Sequence, residues 1–157
     1  VAGDNSISLD LLSYKDRLKT KREEGKTYLL DKIRKKWLVL QPEELVRQLM
    51  IYYLLEEKNY NPNRFSLEKG VMVINQARRF DLLVYDQEMR PFLLLECKAP
   101  RVKISEATFA QIHAYNYGLK VPFLAVTNGI KTFCYAIDWQ DESRRFLAAM
   151  PDFPGQE

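Results

Sequence analysis

Two cysteines, one histidine and no long apolar run are the most informative scarcities in this 157-residue sequence. Cys97 and Cys134 stand in no CxxC or knuckle spacing, which excludes a disulfide scaffold and a structural zinc site. A lone histidine, His113, argues against a histidine-based metal site or a Ser-His-Asp triad. No stretch approaches the roughly 20 apolar residues that span a bilayer, and no secretory apolar segment follows the N-terminus. No membrane partner is expected, and a cytoplasmic location is. A GxxxxGK(S/T) loop is absent, so these residues carry no Walker-type motor. Internal repeats and low-complexity tracts are missing as well. The chain starts at Val1, which we read as a trimmed or engineered start.

What is present suits one compact domain: 46% hydrophobic and 29% charged residues are ordinary for a globular protein of this length. Net charge is only +3, but residues 15–36 hold ten basic and four acidic side chains, and the remainder is slightly acidic. Such a segment can follow a phosphate backbone, releasing counterions, or can simply be a solvated arm. We divide the chain into a basic N-terminal arm or helix (1–27), a globular domain (28–148) and a C-terminal tail (149–157).

Within the domain, residues 42–57 begin with proline and two acids and continue as a broad apolar surface, which predicts a buried helix. Residues 64–68 and 71–74 read as a short hairpin or one bent strand, and 78–85 and 92–98 as two apolar strands. A helix is expected over 105–120. Strands over 122–127 and 131–138 follow, split by the turn pair Asn128-Gly129. This is an α/β or α+β order with a mixed sheet.

The stretch RRFDLLVYDQEMRPFLLLECKAP is the informative one. A hairpin centred between Glu88 and Met89 sets Tyr85 opposite Phe92, Leu83 opposite Leu94 and Asp81 opposite Glu96. Alternation then sends Asp81, Glu96 and Lys98 to one face, and Phe80, Leu82, Leu93, Leu95 and Cys97 to the other. Directly opposed side chains have Cβ atoms roughly 5 Å apart, where two like charges repel. A divalent cation relieves that repulsion: Mg2+ prefers hard oxygen ligands, and the Cys97 carbonyl adds one more. Lys98 then faces the metal-bound water or a scissile phosphate, to orient or help deprotonate the nucleophile and offset developing charge.

Alone, Asp…Glu-x-Lys is a degenerate pattern, since Lys and Glu often pair on an exposed sheet face. Strands this apolar, however, are covered on most of both faces, where unpaired carboxylates are costly. In QIHAYNY, Gln111 and Tyr115 share a helix face at i, i+4, suited to a water and a phosphate oxygen, or else to simple packing on the sheet. His113 falls about 200° around the helix from Gln111. Cys97 is expected as a packed thiol, and Arg78 and Arg79 as phosphate contacts or solvated arginines.

The pattern D-x14-E-x-K followed by Q-x3-Y resembles the PD-(D/E)xK nuclease superfamily. The wider runs DKIRKKWLVLQPEELVRQLMIYYLLEEKNY, EKGVMVINQARRFDLLVYD, LLLECKAP and QIHAYNYGLKVPFLAVTNG resemble the N-terminal nuclease domain of type I restriction enzyme R subunits, over residues 31–138. The resemblance implies a restriction-endonuclease-like mixed sheet flanked by helices, with core order αβββαβ, and Mg2+-dependent hydrolysis of DNA, with Mn2+ as a substitute. It assigns the family's acid to Asp81, its Glu-x-Lys to Glu96 and Lys98, its Gln-x3-Tyr to Gln111 and Tyr115, and a first-helix metal ligand to Glu44. Two departures are plain. Phe80 replaces the proline that names the superfamily, and the motor of R subunits is not in these residues, so separate restriction-modification or helicase subunits are expected partners. The rival readings are a nucleic-acid-binding module and a protein-interaction domain, each keeping the fold without cutting. The enzyme is favoured over both because a retired site has no evident reason to retain opposed carboxylates.

Overall fold

The computed structural model describes residues 5–67, 70–73, 76–79 and 81–155, with 70–73, 76–79 and 115–117 described by backbone alone. A bridge from Ile7 to Thr132 and a 3-10 segment (Leu11–Arg17) precede three short antiparallel strands, β1 (Thr20–Glu23), β2 (Lys26–Leu30) and β3 (Trp37–Val39). Helix α1 (Pro42–Glu56) follows. Gln41 enters it in extended backbone, proline takes the first turn, and Glu43 and Glu44 favour its positive end. Beyond it Asn59 turns left-handed (φ 56) and Pro62 forbids continuation. Next come β4 (Phe65–Leu67), β5 (Gly70–Val73), β6 (Gln76–Arg79), β7 (Leu82–Tyr85), β8 (Pro91–Cys97), helix α2 (Glu106–Leu119), β9 (Phe123–Thr127), β10 (Thr132–Asp138) and β11 (Ser143–Phe146).

Six strands form the main sheet in the order β11-β10-β9-β8-β7-β4, antiparallel except for the parallel pair β8 and β9 that α2 connects. This is the expected α+β domain with a mixed sheet. Alternation along β8 divides the interior. Leu93, Leu95 and Cys97 pack with Val46, Leu49, Met50 and Leu54 of α1, while Leu94 packs with Leu83, Leu124, Val126 and Ile112 of α2. Each such leucine, withdrawn from water, contributes about 1.5–3 kcal/mol. Among the described residues no helix is long and apolar enough to cross a membrane.

Several expectations need correction. Residues 64–74 are neither a hairpin nor one bent strand: β4 joins the main sheet beside β7, and β5 pairs with β6 in a separate ribbon. The single strand expected over 78–85 is broken at a bend at Asp81. The β7–β8 register is the expected one from Leu82↔Leu95 to Val84↔Leu93, then shifts, so Tyr85 opposes Pro91 rather than Phe92. The turn causes the shift. Asp86 accepts the amides of Glu88 and Arg90, its own N–H bonds Arg90 O, and Met89 adopts φ 64, closing the loop one residue early. Phe92 becomes the extra residue of a bulge and faces the α1 side with Leu93, against Tyr60, Phe123 and Phe153.

Both ends also differ from the arm and tail expected of them. Ile7 and Leu11 lie in the α1-side core, as do Met150 and Phe153, and the Tyr60 hydroxyl donates to Pro151 O at 2.6 Å. Proline and charge break regular structure, but an irregular segment can still bury isolated side chains. Leu11 is 2% exposed, so Leu11→Ala is expected to lower unfolding free energy by about 2–4 kcal/mol. A urea titration showing no change would mean that this segment stands off the domain.

Candidate active site

The ladder between β7 and β8 ends at Leu82↔Leu95, one step before the predicted pairing of Asp81 with Glu96. There the chain bends, and the Asp81 side chain does what a backbone carbonyl would otherwise do: Oδ2 accepts the N–H of Cys97 at 2.6 Å. Its other oxygen, Oδ1, accepts from Arg47 Nη2 at 3.1 Å. Arg47 projects from α1, is 3% exposed, and also donates to the Glu44 carboxylate one turn earlier. Glu44 Oε1 accepts from Gln48 Nε2 at 3.1 Å, and Gln48 Oε1 accepts from the amide of Lys32 at 3.0 Å. A line of buried polar contacts thus runs from the β2–β3 connection through α1 to the edge of β8.

On β8 itself, Glu96 forms an ion pair with Lys98 at 3.2 Å. The Glu96 carboxyl is pushed up to about 7 by burial, then by the nearby charge of Asp81. Asp81 is also raised: its own burial outweighs the Cys97 amide and Arg47. For Lys98 burial acts against the charge, but Glu96 and Asp81 prevail and hold it above the ordinary lysine value. It is therefore an ammonium at neutral pH.

Asp81, Glu96 and Lys98 thus lie near one another, but at a bend and not in the cross-strand pair that the spacing predicted. Glu44 is engaged elsewhere, by Arg47 and Gln48. The first-turn acid whose charge acts on Asp81, Glu96 and Lys98 is its neighbour Glu43. Adjacent helix positions differ by about 100°, so only the phase of α1 decides between the two acids. Arg47 and Gln48 were missed, although Glu44, Arg47 and Gln48 at i, i+3 and i+4 form a polar strip on an otherwise apolar helix, which is a readable signal. The Cys97 thiol is buried and raised far above its ordinary value, mainly by that burial, as expected of a packed thiol.

Gln111 is exposed on α2, beside the buried Ile112, and the helix packs on β8 and β9. The Tyr115 side chain, with those of Arg78 and Arg79 and the whole of Phe80, lies outside the described residues. His113 stacks on Trp139, with ring centroids 5.7 Å apart, and burial lowers its pKa.

Among the described residues no three acid, histidine or cysteine side chains are already gathered as a ligand set. The donors that are present nevertheless suit a hard cation. Four carboxylates (Glu43, Glu44, Asp81, Glu96) stand against two cations (Arg47, Lys98), and Glu96, raised by burial and then by the charge of Asp81, is the acid that a further positive charge would relieve. Asp81 and Glu96, with the Cys97 carbonyl, are the oxygens such an ion would take.

Two measurements follow from this geometry. Asp81→Ala removes the acceptor of the Cys97 amide and a carboxylate partner of a buried guanidinium, and is expected to cost about 3–5 kcal/mol in a urea titration. Asp81→Asn, which keeps an acceptor, should cost less. Equal losses would exclude the backbone role. Glu96 holds its proton to about pH 7 when folded but releases it near its ordinary 4.5 when unfolded. Its contribution to stability is therefore full below that window and lost as pH rises through it. With a chelator present, Glu96→Gln should flatten the slope and exceed wild-type stability at pH 8 by about 1–3 kcal/mol. An unchanged slope from pH 5 to 8 would contradict the burial argument.

No curated protein matches this chain. A solved structure does: a fragment described as an HsdR subunit of a type I restriction enzyme from Vibrio vulnificus YJ016, at TM-score 0.50 and 16% identity. The match covers 71% of this chain and 24% of the other, so the likeness is one of fold and spans about a quarter of that molecule. Residues 42–151, from the start of α1 to beyond β11, match the family model of the type I restriction enzyme R protein N terminus. Covering well over half of the sequence, that match makes the chain a member of the type I restriction enzyme R protein N-terminal family.

Proposed function

We propose that this domain is a metal-dependent endonuclease of the PD-(D/E)xK type that hydrolyses DNA phosphodiesters. The observation that carries the reading is the pair of buried carboxylates, Asp81 and Glu96, both raised chiefly by burial and Glu96 also by the charge of Asp81, with an ammonium at 3.2 Å from Glu96. Asp81 has fold partners of its own, but a second acid beside it, Glu96, adds repulsion, and a cation beside the two removes it.

Asp81, Glu96 and the Cys97 carbonyl would hold Mg2+ or Mn2+, with Glu43 adding to the negative field from α1. When bound, the ion supplies Lewis acidity toward phosphate oxygens and lowers the pKa of a coordinated water. Lys98, already protonated, cannot accept the proton of the attacking water. Its part is to donate to a non-bridging phosphate oxygen and offset the charge that grows there. This narrows the role read from sequence, in which Lys98 also helped to deprotonate the nucleophile. Arg47 fixes the Asp81 carboxylate from behind. Gln111 and Tyr115 are positioning groups in this reading, on the strength of the family pattern. Motor and methylation functions would come from other parts of a restriction system.

The binding-module reading keeps one specific support: Asp81 and Glu44 both have structural partners, so a fold without activity would still hold them. Plasmid cleavage separates the two. Wild type should nick or linearise supercoiled DNA with Mg2+ or Mn2+ and be inert with chelator, and Lys98→Ala should lose about a hundredfold or more in rate. Failure of wild type to cut with either ion, or equal cutting by Lys98→Ala, would sink the nuclease proposal.

A further inference from the structure

Beyond the carboxylates, the α2 side of the sheet carries a second feature that cleavage chemistry leaves unused. Between the start of α2, the segment leading into it and strands β10 and β11 lies a groove of ≈ 900 Å3. Alternation along β10 turns Phe133 and Tyr135 to this side, and Phe146 of β11 sits directly opposite Tyr135. Phe109 descends from α2 onto these rings, 5.6 Å between centroids from both Phe133 and Phe146. The rim is basic: Lys103, Lys131, Arg144 and Arg145 stand against one acid, Glu106. The Arg144 guanidinium lies 5.8 Å from the centre of the Tyr135 ring.

Edge-to-face aromatics are ordinary core material, but two details set this group apart. Phe146 is 43% exposed, on an edge strand whose residues all face water. Tyr135 is 3% exposed, and burial raises its hydroxyl while the nearby Arg144 guanidinium of the rim opposes that rise, so a cation and a buried phenol meet in the groove lining. The groove lies on the same face of the sheet as Glu96, two strands away: Glu96 is level with Val126 of β9, and Val126 with Phe133 of β10. Lys98 donates its amide to Thr127 O at 2.8 Å, and the Asn128 side chain donates to Val102 O at 2.8 Å. These bonds tie the segment carrying Lys98 and Lys103 to the turn carrying Lys131.

Aromatic faces ringed by cations match a ligand that alternates flat rings with phosphates. We propose that this groove binds a short unpaired stretch of DNA beside the scissile position, with the basic rim on its phosphates and a base stacked on Phe146. An intact duplex would meet the cations but leave the rings unused, because its bases are stacked on each other. The proposal deepens the nuclease reading by naming the form of substrate that reaches the site. It implies that the domain acts where strands have been separated.

The test is fluorescence anisotropy on the full chain with chelator present, using a labelled oligothymidylate of about twelve nucleotides and a duplex of the same length. The single strand should bind more tightly than the duplex. Phe146→Ala should weaken strand binding about tenfold and leave the duplex unchanged, and Phe146→Trp should retain it. Arg144→Ala, on an exposed position, should reduce the salt dependence by about one counterion and serves if the Phe146 variants melt early. No binding of the strand, equal loss for strand and duplex, or no effect of either Phe146→Ala or Arg144→Ala would overturn the proposal. Strand binding is read with chelator present and plasmid cleavage with added metal, so a failure of plasmid cleavage and a failure of this groove are read separately.

Discussion

Arg47 is a guanidinium almost entirely removed from water, and everything at the site is arranged around keeping it paired. It reaches from the middle of α1 to the bend at Asp81, holding Glu44 with one nitrogen and Asp81 with another. A charge so buried with either partner missing is strongly unfavourable. The helix phase, the bend before β7 and the end of the β7–β8 ladder are therefore fixed together. Gln48 extends the same constraint to the backbone at Lys32, so the small β1–β3 sheet is locked to α1 by a polar contact as well as by packing.

Sheet topology decides where that arrangement can do chemistry. β8 and β9 are the parallel pair, and the chain must leave the end of β8 to form α2 before returning. Ligands in open α/β sheets bind outside the carboxyl ends of strands for this reason. Glu96 and Lys98 lie at that end.

Much of this could be read from residues alone, for identifiable reasons. The β7–β8 register was legible because alternating leucines allow only one face assignment, and the turn at Asn128-Gly129 because its glycine adopts φ 87. The bulge at Phe92 was not, since it depends on how Asp86 folds the loop onto its own amides. Nor was Arg47, because pattern reading treats charge on a helix as solvent-facing unless its partners are known. The buried ends escaped for a related reason: Ile7, Leu11, Met150 and Phe153 sit in stretches without periodicity, where burial leaves no rhythm in the sequence. Strand β11, with the sequence SRRF, is polar on every measure except the aromatic that closes the groove.

Asp81 completes a strand ladder by receiving the amide of Cys97, and it neutralises Arg47. Folding by itself would then preserve an acid at this place in a descendant that had ceased to cut DNA. The expectation that a retired site would shed its carboxylates does not hold for this one. Lys98 is under different selection, since its charge answers the acids Glu96 and Asp81 at the sheet margin. In comparing related chains, an aspartate at this bend is a record of architecture, and the lysine two residues beyond the glutamate is the better witness to a living enzyme.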